Sequence, residues 1–211
     1  PFTTSTLQQE ASRKLRMTAK RTMQVAQRLY EGISLSGETV GLITYMRTDG
    51  VFISNEAICG CRSLIGREYG SDYVPGSPRA YKSKAKNAQE AHEAIRPTDV
   101  MRRPKDVEAH LDPEQKSLYQ LIWNRTIASQ MVNARGHNTI IMIDGDGAIF
   151  RVSGRTIDFP GFLRAYVEGS DNPNAELADR ETLLPSVEQG QVIACRDLLS
   201  SDHTTQPPSR F

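Results

Sequence analysis

Apolar residues near the start of the chain recur at helical spacing. Leu7, Ala11 and Leu15 fall every fourth position, with Thr4 or Ser5 in reach as a cap. Thr18 is placed to cap a second helix whose inward positions are Thr22, Val25, Ala26 and Leu29. Gly32 and residues 34–37 then read as a flexible connection. Residues 42–47 open with a short apolar run and are expected to be extended. Ser54 caps a third helix over residues 55–67, with Ala57, Ile58, Cys61, Leu64 and Ile65 as its buried stripe and Gly60 weakening it. Residues 69–88 are rich in Gly, Pro, Ser and Lys and read as a loop carrying Lys82, Lys84 and Lys86. Asp112-Pro113-Glu114 is a helix start: an acidic cap, proline in the first turn, then an acid. Leu118, Leu121, Ile122, Arg125, Ala128 and Met131 continue that helix, and Trp123 is expected to pack against a neighbouring element.

From about Asn138 the texture changes to β-rich segments. Residues 139–143, 148–153 and 191–195 read as strands, and Asp144-Gly145-Asp146-Gly147 as the hairpin turn between the first two. Those aspartates lack the partners of a calcium loop. Residues 158–162 read as a bend and 168–183 as a polar loop. The pattern predicts a multidomain α+β chain, with a mainly helical domain over 1–132 and a partial β-rich module over 133–211. Two helices followed by a strand suit a winged-helix-like unit.

The chain has 211 residues, 38% hydrophobic and 24% charged, with a net charge of +1. Nucleic-acid binding would therefore have to come from local clusters rather than a global basic field. The first two helices carry such a cluster: Arg13, Lys14, Arg16, Lys20, Arg21 and Arg28 outnumber Glu10 and Glu31. It is either a phosphate-contacting surface or a solvated helix face. No apolar run is long enough to span a bilayer. Cys59, Cys61 and Cys195 lack zinc-finger spacing and are expected to be reduced thiols.

Two places carry candidate chemistry. In an extended segment Tyr45 and Arg47 share a face, a phenol beside a guanidinium. A phenol can supply an oxygen nucleophile, and a guanidinium binds phosphate oxygens bidentately. The bland alternative is a packing tyrosine beside a solvated arginine. His92 can donate to a phosphate oxygen and carry charge near neutral pH, with Glu90 or Glu93 biasing its protonation. Arg96 is either structural or a phosphate contact.

Gly41-Leu42-Ile43-Thr44-Tyr45-Met46-Arg47-Thr48-Asp49 closely resembles the active-site signature of bacterial-type type IA DNA topoisomerases. Three further segments resemble the same family in the same order: Pro1-Phe2-Thr3-Thr4-Ser5-Thr6-Leu7-Gln8-Gln9, Gln89-Glu90-Ala91-His92-Glu93-Ala94-Ile95-Arg96-Pro97 and Pro207-Pro208-Ser209-Arg210-Phe211. The likeness runs from first residue to last and is looser beyond about Met131. Gly50 departs from the family's common Ser, which touches local turn geometry, and residues 33–40 form a loop absent or different in some members.

The resemblance implies part of a toroidal type IA core, a central piece of a longer protein. In it Tyr45 attacks single-stranded DNA, a 5′-phosphotyrosine link forms, and negative supercoils relax without ATP. It implies that His92 lies near the scissile phosphate and that Arg47 binds it. Arg13, Lys14, Lys20, Arg21 and Arg96 are the DNA-binding candidates. Mg2+ is expected in the full-length enzyme, on a Toprim domain that nothing here resembles, so the piece alone is expected to be inactive. Single-stranded or negatively supercoiled DNA is the expected partner, with no membrane, and self-association of the piece is plausible. The expected location is the bacterial nucleoid or an organelle. The alternatives are a non-catalytic DNA-binding module and an interaction scaffold.

Overall fold

A computed structural model describes residues 1–35, 37–82, 92–166, 184–202 and 204–205. Contacts divide the chain into two compact units, Pro1–Arg135 with Ile157–Ser170, and Gly136–Thr156 with Asp171–Phe211.

The first unit is built on helices. α1 (Thr4–Leu15) is capped by Thr3, one residue before the expected cap, because Thr3 is the last extended residue and exchanges hydrogen bonds with Thr6. It ends on Arg16, which closes the helix in the left-handed region at φ 58°. α2 (Ala19–Glu31) starts at its expected cap Thr18 and buries Thr22, Val25, Ala26 and Leu29. Its other face carries charge because that face does not pack.

The connection after Gly32 is more ordered than glycine and serine content suggests. β1 (Ile33–Leu35) pairs antiparallel with β2 (Glu38–Val40), with Ile33 opposite Val40. α3 (Asn55–Glu68) is capped by Ser54 and buries the expected stripe, Cys61 and Leu64 with no exposure at all. A single 3-10 turn at Ser71–Tyr73 follows. α4 (Pro104–Val107) is one short turn before α5 (Pro113–Ser129). At the start of α5 the Asp112 side chain accepts from the Gln115 amide at 2.8 Å and the Gln115 side chain answers at the Asp112 amide at 3.0 Å. This reciprocal pair satisfies two amides that no helix turn can.

α1, α2 and α5 pack on one another, and α3 packs on α5. Their shared core holds Phe2, Leu7, Leu29, Leu42, Ile43, Met46, Leu64, Ile65, Ile95, Leu118, Tyr119 and Ile122, all essentially without exposure. Trp123 is buried as expected and donates its indole N–H to the Val100 carbonyl at 2.9 Å. Residues 157–166 belong to this unit as well. Gly161 lies against the Asn133 backbone, the Phe162 amide donates to the Val132 carbonyl, and the Tyr166 hydroxyl hydrogen-bonds the buried carboxylate of Glu10.

The second unit's main feature is a hairpin of β3 (Arg135–Gly145) with β4 (Ala148–Phe159). Asp146 and Gly147 turn it with φ of 52° and 89°, the positive values a two-residue hairpin turn needs. Ile140, Met142, Phe150 and Val152 are exposed on it. The strand expected at 191–195 is absent: those residues are exposed coil without ladder partners. The loop expected at 168–183 lies outside the described residues. Among the described residues no helix is long and apolar enough to cross a membrane.

Replacing Asp112 with Ala should cost about 1 kcal/mol of stability, the usual worth of such a cap. Chemical denaturation followed by helical circular dichroism measures it.

Candidate active site

The tyrosine segment is not a strand. Only Ile43 makes a bridge, antiparallel to Pro97, after which the chain bends at Thr44 and again at Met46 and Arg47. The same-face argument for Tyr45 and Arg47 therefore does not hold here. Hydrogen bonds to other segments replace the missing ladder. The Thr44 amide donates to the Arg96 carbonyl at 2.9 Å, and the Arg96 amide donates to the Thr44 hydroxyl oxygen at 3.0 Å. The same hydroxyl donates to the Ala94 carbonyl at 2.7 Å. Thr98 adds its amide to the Leu42 carbonyl at 3.0 Å and its hydroxyl to the Gly41 carbonyl at 2.7 Å.

The chain's first residues close the third side. The Ile95 amide donates to the Phe2 carbonyl at 2.9 Å. The Thr4 amide donates to the Thr48 carbonyl at 2.9 Å, and the Thr4 hydroxyl donates to the Met46 carbonyl at 2.9 Å. Three segments far apart in sequence are thus one hydrogen-bonded body.

This body sets Tyr45 beside His92, with ring centroids 4.8 Å apart and planes at 53°. Tyr45 is half-buried, its ring against the core, and His92 is exposed. The other side chains narrow the field of candidate phenols. The hydroxyls of Tyr73, Tyr81, Tyr119 and Tyr166 are held by Arg164, the Ser129 carbonyl, the Arg102 carbonyl and Glu10. Burial pushes the Tyr119 phenol well above the usual range. Among the described residues nothing hydrogen-bonds the Tyr45 hydroxyl, and Tyr45 alone lies against an imidazole. A phenol beside an imidazole can pass its proton or share a bound anion with it.

Gly50 allows the close approach. A Cβ there would overlap the His92 carbonyl oxygen. The Gly50 amide donates to the Thr48 hydroxyl at 2.9 Å, and that hydroxyl faces the same carbonyl at 3.5 Å. The departure at this position is therefore part of how His92 is seated.

Arg47 is exposed and makes no hydrogen bond or ion pair among the described residues. Arg96 is the opposite case. It is buried, and its guanidinium donates to Glu93 at 2.6 Å, to the Pro97 carbonyl at 2.8 Å and to the Ser54 hydroxyl at 3.4 Å. Of the two readings open for Arg96, this geometry is the structural one. Burial raises the Glu93 carboxyl, but the Arg96 hydrogen bond, the Ser54 amide and the Arg96 charge outweigh it and hold it below the ordinary carboxylate range. Burial pushes the Cys61 thiol up to about 12, so it is a core group rather than a nucleophile. All three cysteines are free.

The basic cluster is largely engaged within the fold. Arg21 pairs with Glu114 and Arg28 with Asp112, both joining α2 to the start of α5. Arg13 and Lys14 flank Glu10 at 3.5 and 3.9 Å, and the Lys14 ammonium lies 4.1 Å over the Tyr166 ring. Lys20 is exposed on α2 and Lys82 in the loop after the 3-10 turn at Ser71–Tyr73, while Lys84, Lys86 and Glu90 lie outside the described residues.

One contact escapes the sequence patterns. Tyr30, near the end of α2, lies edge-on to Tyr45 with centroids 5.5 Å apart. Nothing in the spacing of residues 30 and 45 signals it.

The family model for DNA topoisomerase matches residues 1–211. This chain belongs to the bacterial-type type IA DNA topoisomerases. It is 52% identical to DNA topoisomerase 1 of Synechococcus elongatus, over the whole of this chain and 23% of that protein. It is 49% identical to DNA topoisomerase 1 of Xylella fastidiosa strain Temecula1, over the whole of this chain and 26% of that protein. Its fold is similar to full-length topoisomerase I of Thermotoga maritima, with a TM-score of 0.68, 36% identity, 82% of this chain and 28% of that one. The chain spans about a quarter of the length of the curated relatives it matches.

Two outcomes follow from the site's geometry. Gly50→Ala should move His92 off Tyr45 and alter the chemical shifts of the His92 ring protons in NMR spectra, while the helices keep their circular dichroism. A depressed carboxylate stabilises above its unfolded pKa, and the gain is lost as pH falls through the folded value. The Glu93–Arg96 pair should therefore lose its stabilisation below about pH 4.3, the ordinary glutamate value. In melting temperatures recorded against pH, Glu93→Gln should be less stable than the parent near neutrality and the gap should narrow in acid.

Proposed function

We propose that this chain is the tyrosine-bearing catalytic segment of an enzyme that transiently breaks and rejoins single-stranded DNA. The Tyr45 oxygen attacks a backbone phosphorus. A phenol-oxygen-to-phosphorus bond forms, the bond from phosphorus to the 3′ oxygen breaks, and the proton leaving the phenol is balanced by one taken up at the 3′ oxygen. The DNA 5′-phosphate is then held on Tyr45 and a free 3′-hydroxyl is left. One phosphoester replaces another, so rejoining needs no ATP. Another strand passes through the gap, the hydroxyl attacks back, and negative supercoils relax.

His92 donates a hydrogen bond to the phosphate. Arg47, open to solvent and without an internal partner among the described residues, closes on the same phosphate when DNA is bound and offsets charge building on its oxygens. Arg96 is left out of the DNA-contacting set because its guanidinium is engaged inside the fold. Lys20 remains a phosphate contact. Arg13, Lys14 and Arg21 contribute positive potential more than free donors. The observation that carries the reading is the Tyr45 hydroxyl, without a hydrogen bond among the described residues, on a ring packed against His92.

Magnesium is expected for the whole enzyme. Among the described residues no three His, Cys, Asp or Glu side chains gather as metal ligands, and no step above runs through a metal. The family resemblance assigns the ion to a Toprim domain outside this segment, and on that ground the segment by itself does not relax DNA. The exposed apolar side chains of its hairpin favour self-association, and its place of work is the bacterial nucleoid.

The decisive test supplies the segments its relatives carry outside this region and traps a labelled oligonucleotide under denaturing conditions. The completed enzyme should yield a covalent adduct, and Tyr45→Phe should abolish it while binding falls less than about threefold, since the hydroxyl makes no ground-state hydrogen bond. An adduct that survives Tyr45→Phe, or plasmid relaxation by the 211-residue chain alone, would overturn the reading.

A further inference from the structure

The Tyr45 hydroxyl has no hydrogen bond among the described residues, so its aim depends on what touches its ring. Beyond core packing, two aromatic neighbours do so: His92 at 4.8 Å and Tyr30 at 5.5 Å, the latter edge-on at 67°. His92 belongs to the chemistry. Tyr30 does not: it sits one residue before the end of α2, is 40% exposed, and its hydroxyl makes no hydrogen bond among the described residues. A large aromatic left that open, with its ring on the candidate nucleophile, calls for a reason.

The backbone makes this contact a fixed one. The Leu42 amide donates to the Leu29 carbonyl at 2.7 Å, which ties the tyrosine segment to the last turn of α2. Gly41 lies so close to the neighbouring carbonyl that a Cβ there would come within 2.6 Å of the Tyr30 oxygen. Leu29 itself is wholly buried. Tyr30 and Tyr45 therefore project from two backbones in direct contact, and neither anchor can drift without breaking a core element.

We propose that Tyr30 is a positioning residue whose ring edge restrains the Tyr45 ring and so aims its hydroxyl at the scissile phosphate. The proposal rests on the reading of Tyr45 as the nucleophile. An edge-to-face pair is favourable by about 1 kcal/mol and is directional. Small errors in the placement of a nucleophile cost far more in rate than in binding. The role needs the ring and not the Tyr30 hydroxyl.

The test uses the completed enzyme for rate and the 211-residue chain for geometry. Tyr30→Ala should slow single-turnover oligonucleotide cleavage by about ten- to a hundredfold, with non-covalent affinity for the same oligonucleotide within about threefold of the parent. Tyr30→Phe should restore the rate. In the 211-residue chain, the His92 ring protons, shifted by the Tyr45 ring current, should move in Tyr30→Ala and stay in place in Tyr30→Phe. Parental cleavage by Tyr30→Ala overturns the proposal. So does a loss of affinity as large as the loss of rate, which would make Tyr30 a DNA contact. A Tyr30→Phe variant as slow as Tyr30→Ala overturns it too, because the hydroxyl would then be needed. Failure of the underlying reading shows separately, as an adduct formed by Tyr45→Phe.

Discussion

Everything at the candidate site hangs on the exchange between Thr44 and Arg96. Each donates its amide to the other, one to a carbonyl and one to a hydroxyl, across 52 positions of chain. No helix or sheet lies there to do the work. A bent segment inside a protein must satisfy its backbone groups somehow, or bear a cost of about 1 to 3 kcal/mol for each one stranded. Here threonine hydroxyls take the place of a missing strand. Thr4, Thr44, Thr48 and Thr98 all bond to main chain of another segment. The irregular backbone is what leaves a tyrosine half in and half out of the core.

Helices were legible from the sequence because capping and periodicity are local. Ser54, Thr18 and Asp112 each start the helix that their side chains predict. The tyrosine segment reads as extended because an apolar run looks the same whether it pairs along its length or only at Ile43. Residues 191–195 read as a strand from β-rich composition, which has no partner strand among the described residues. Gly32 and residues 34–37 read as a flexible link, yet Ile33–Leu35 pairs with Glu38–Val40, because glycine and serine suit turns as well as linkers. The pairing of Tyr45 with His92 was legible only through resemblance, and the Tyr30 contact not at all, since spatial neighbours on different elements leave no periodic mark.

The charges teach a related lesson. A run of arginines and lysines on two helices reads as a surface waiting for polyanion. Much of it answers acids of the same chain instead: Glu10 under Arg13 and Lys14, and the acidic start of α5 under Arg21 and Arg28. Those pairs are solvent-exposed on at least one side and individually weak. The two pairs that leave α2 both reach the start of α5, which helps seat α2 and with it the end of α2 that touches the tyrosine segment.

The order in which this site comes together is written into its wiring. Each helix closes its own backbone hydrogen bonds within a few residues, whereas the bonds around Tyr45 join the first residues, the forties and the nineties. Pairings that distant form late, because chain entropy must be given up before any of them holds. During synthesis Tyr45 emerges well ahead of Ala94, Arg96 and Thr98, so until those arrive its segment has only its bonds to Thr4 and Leu29 to hold it. The frame around the candidate site is thus incomplete until the chain has been made past Thr98.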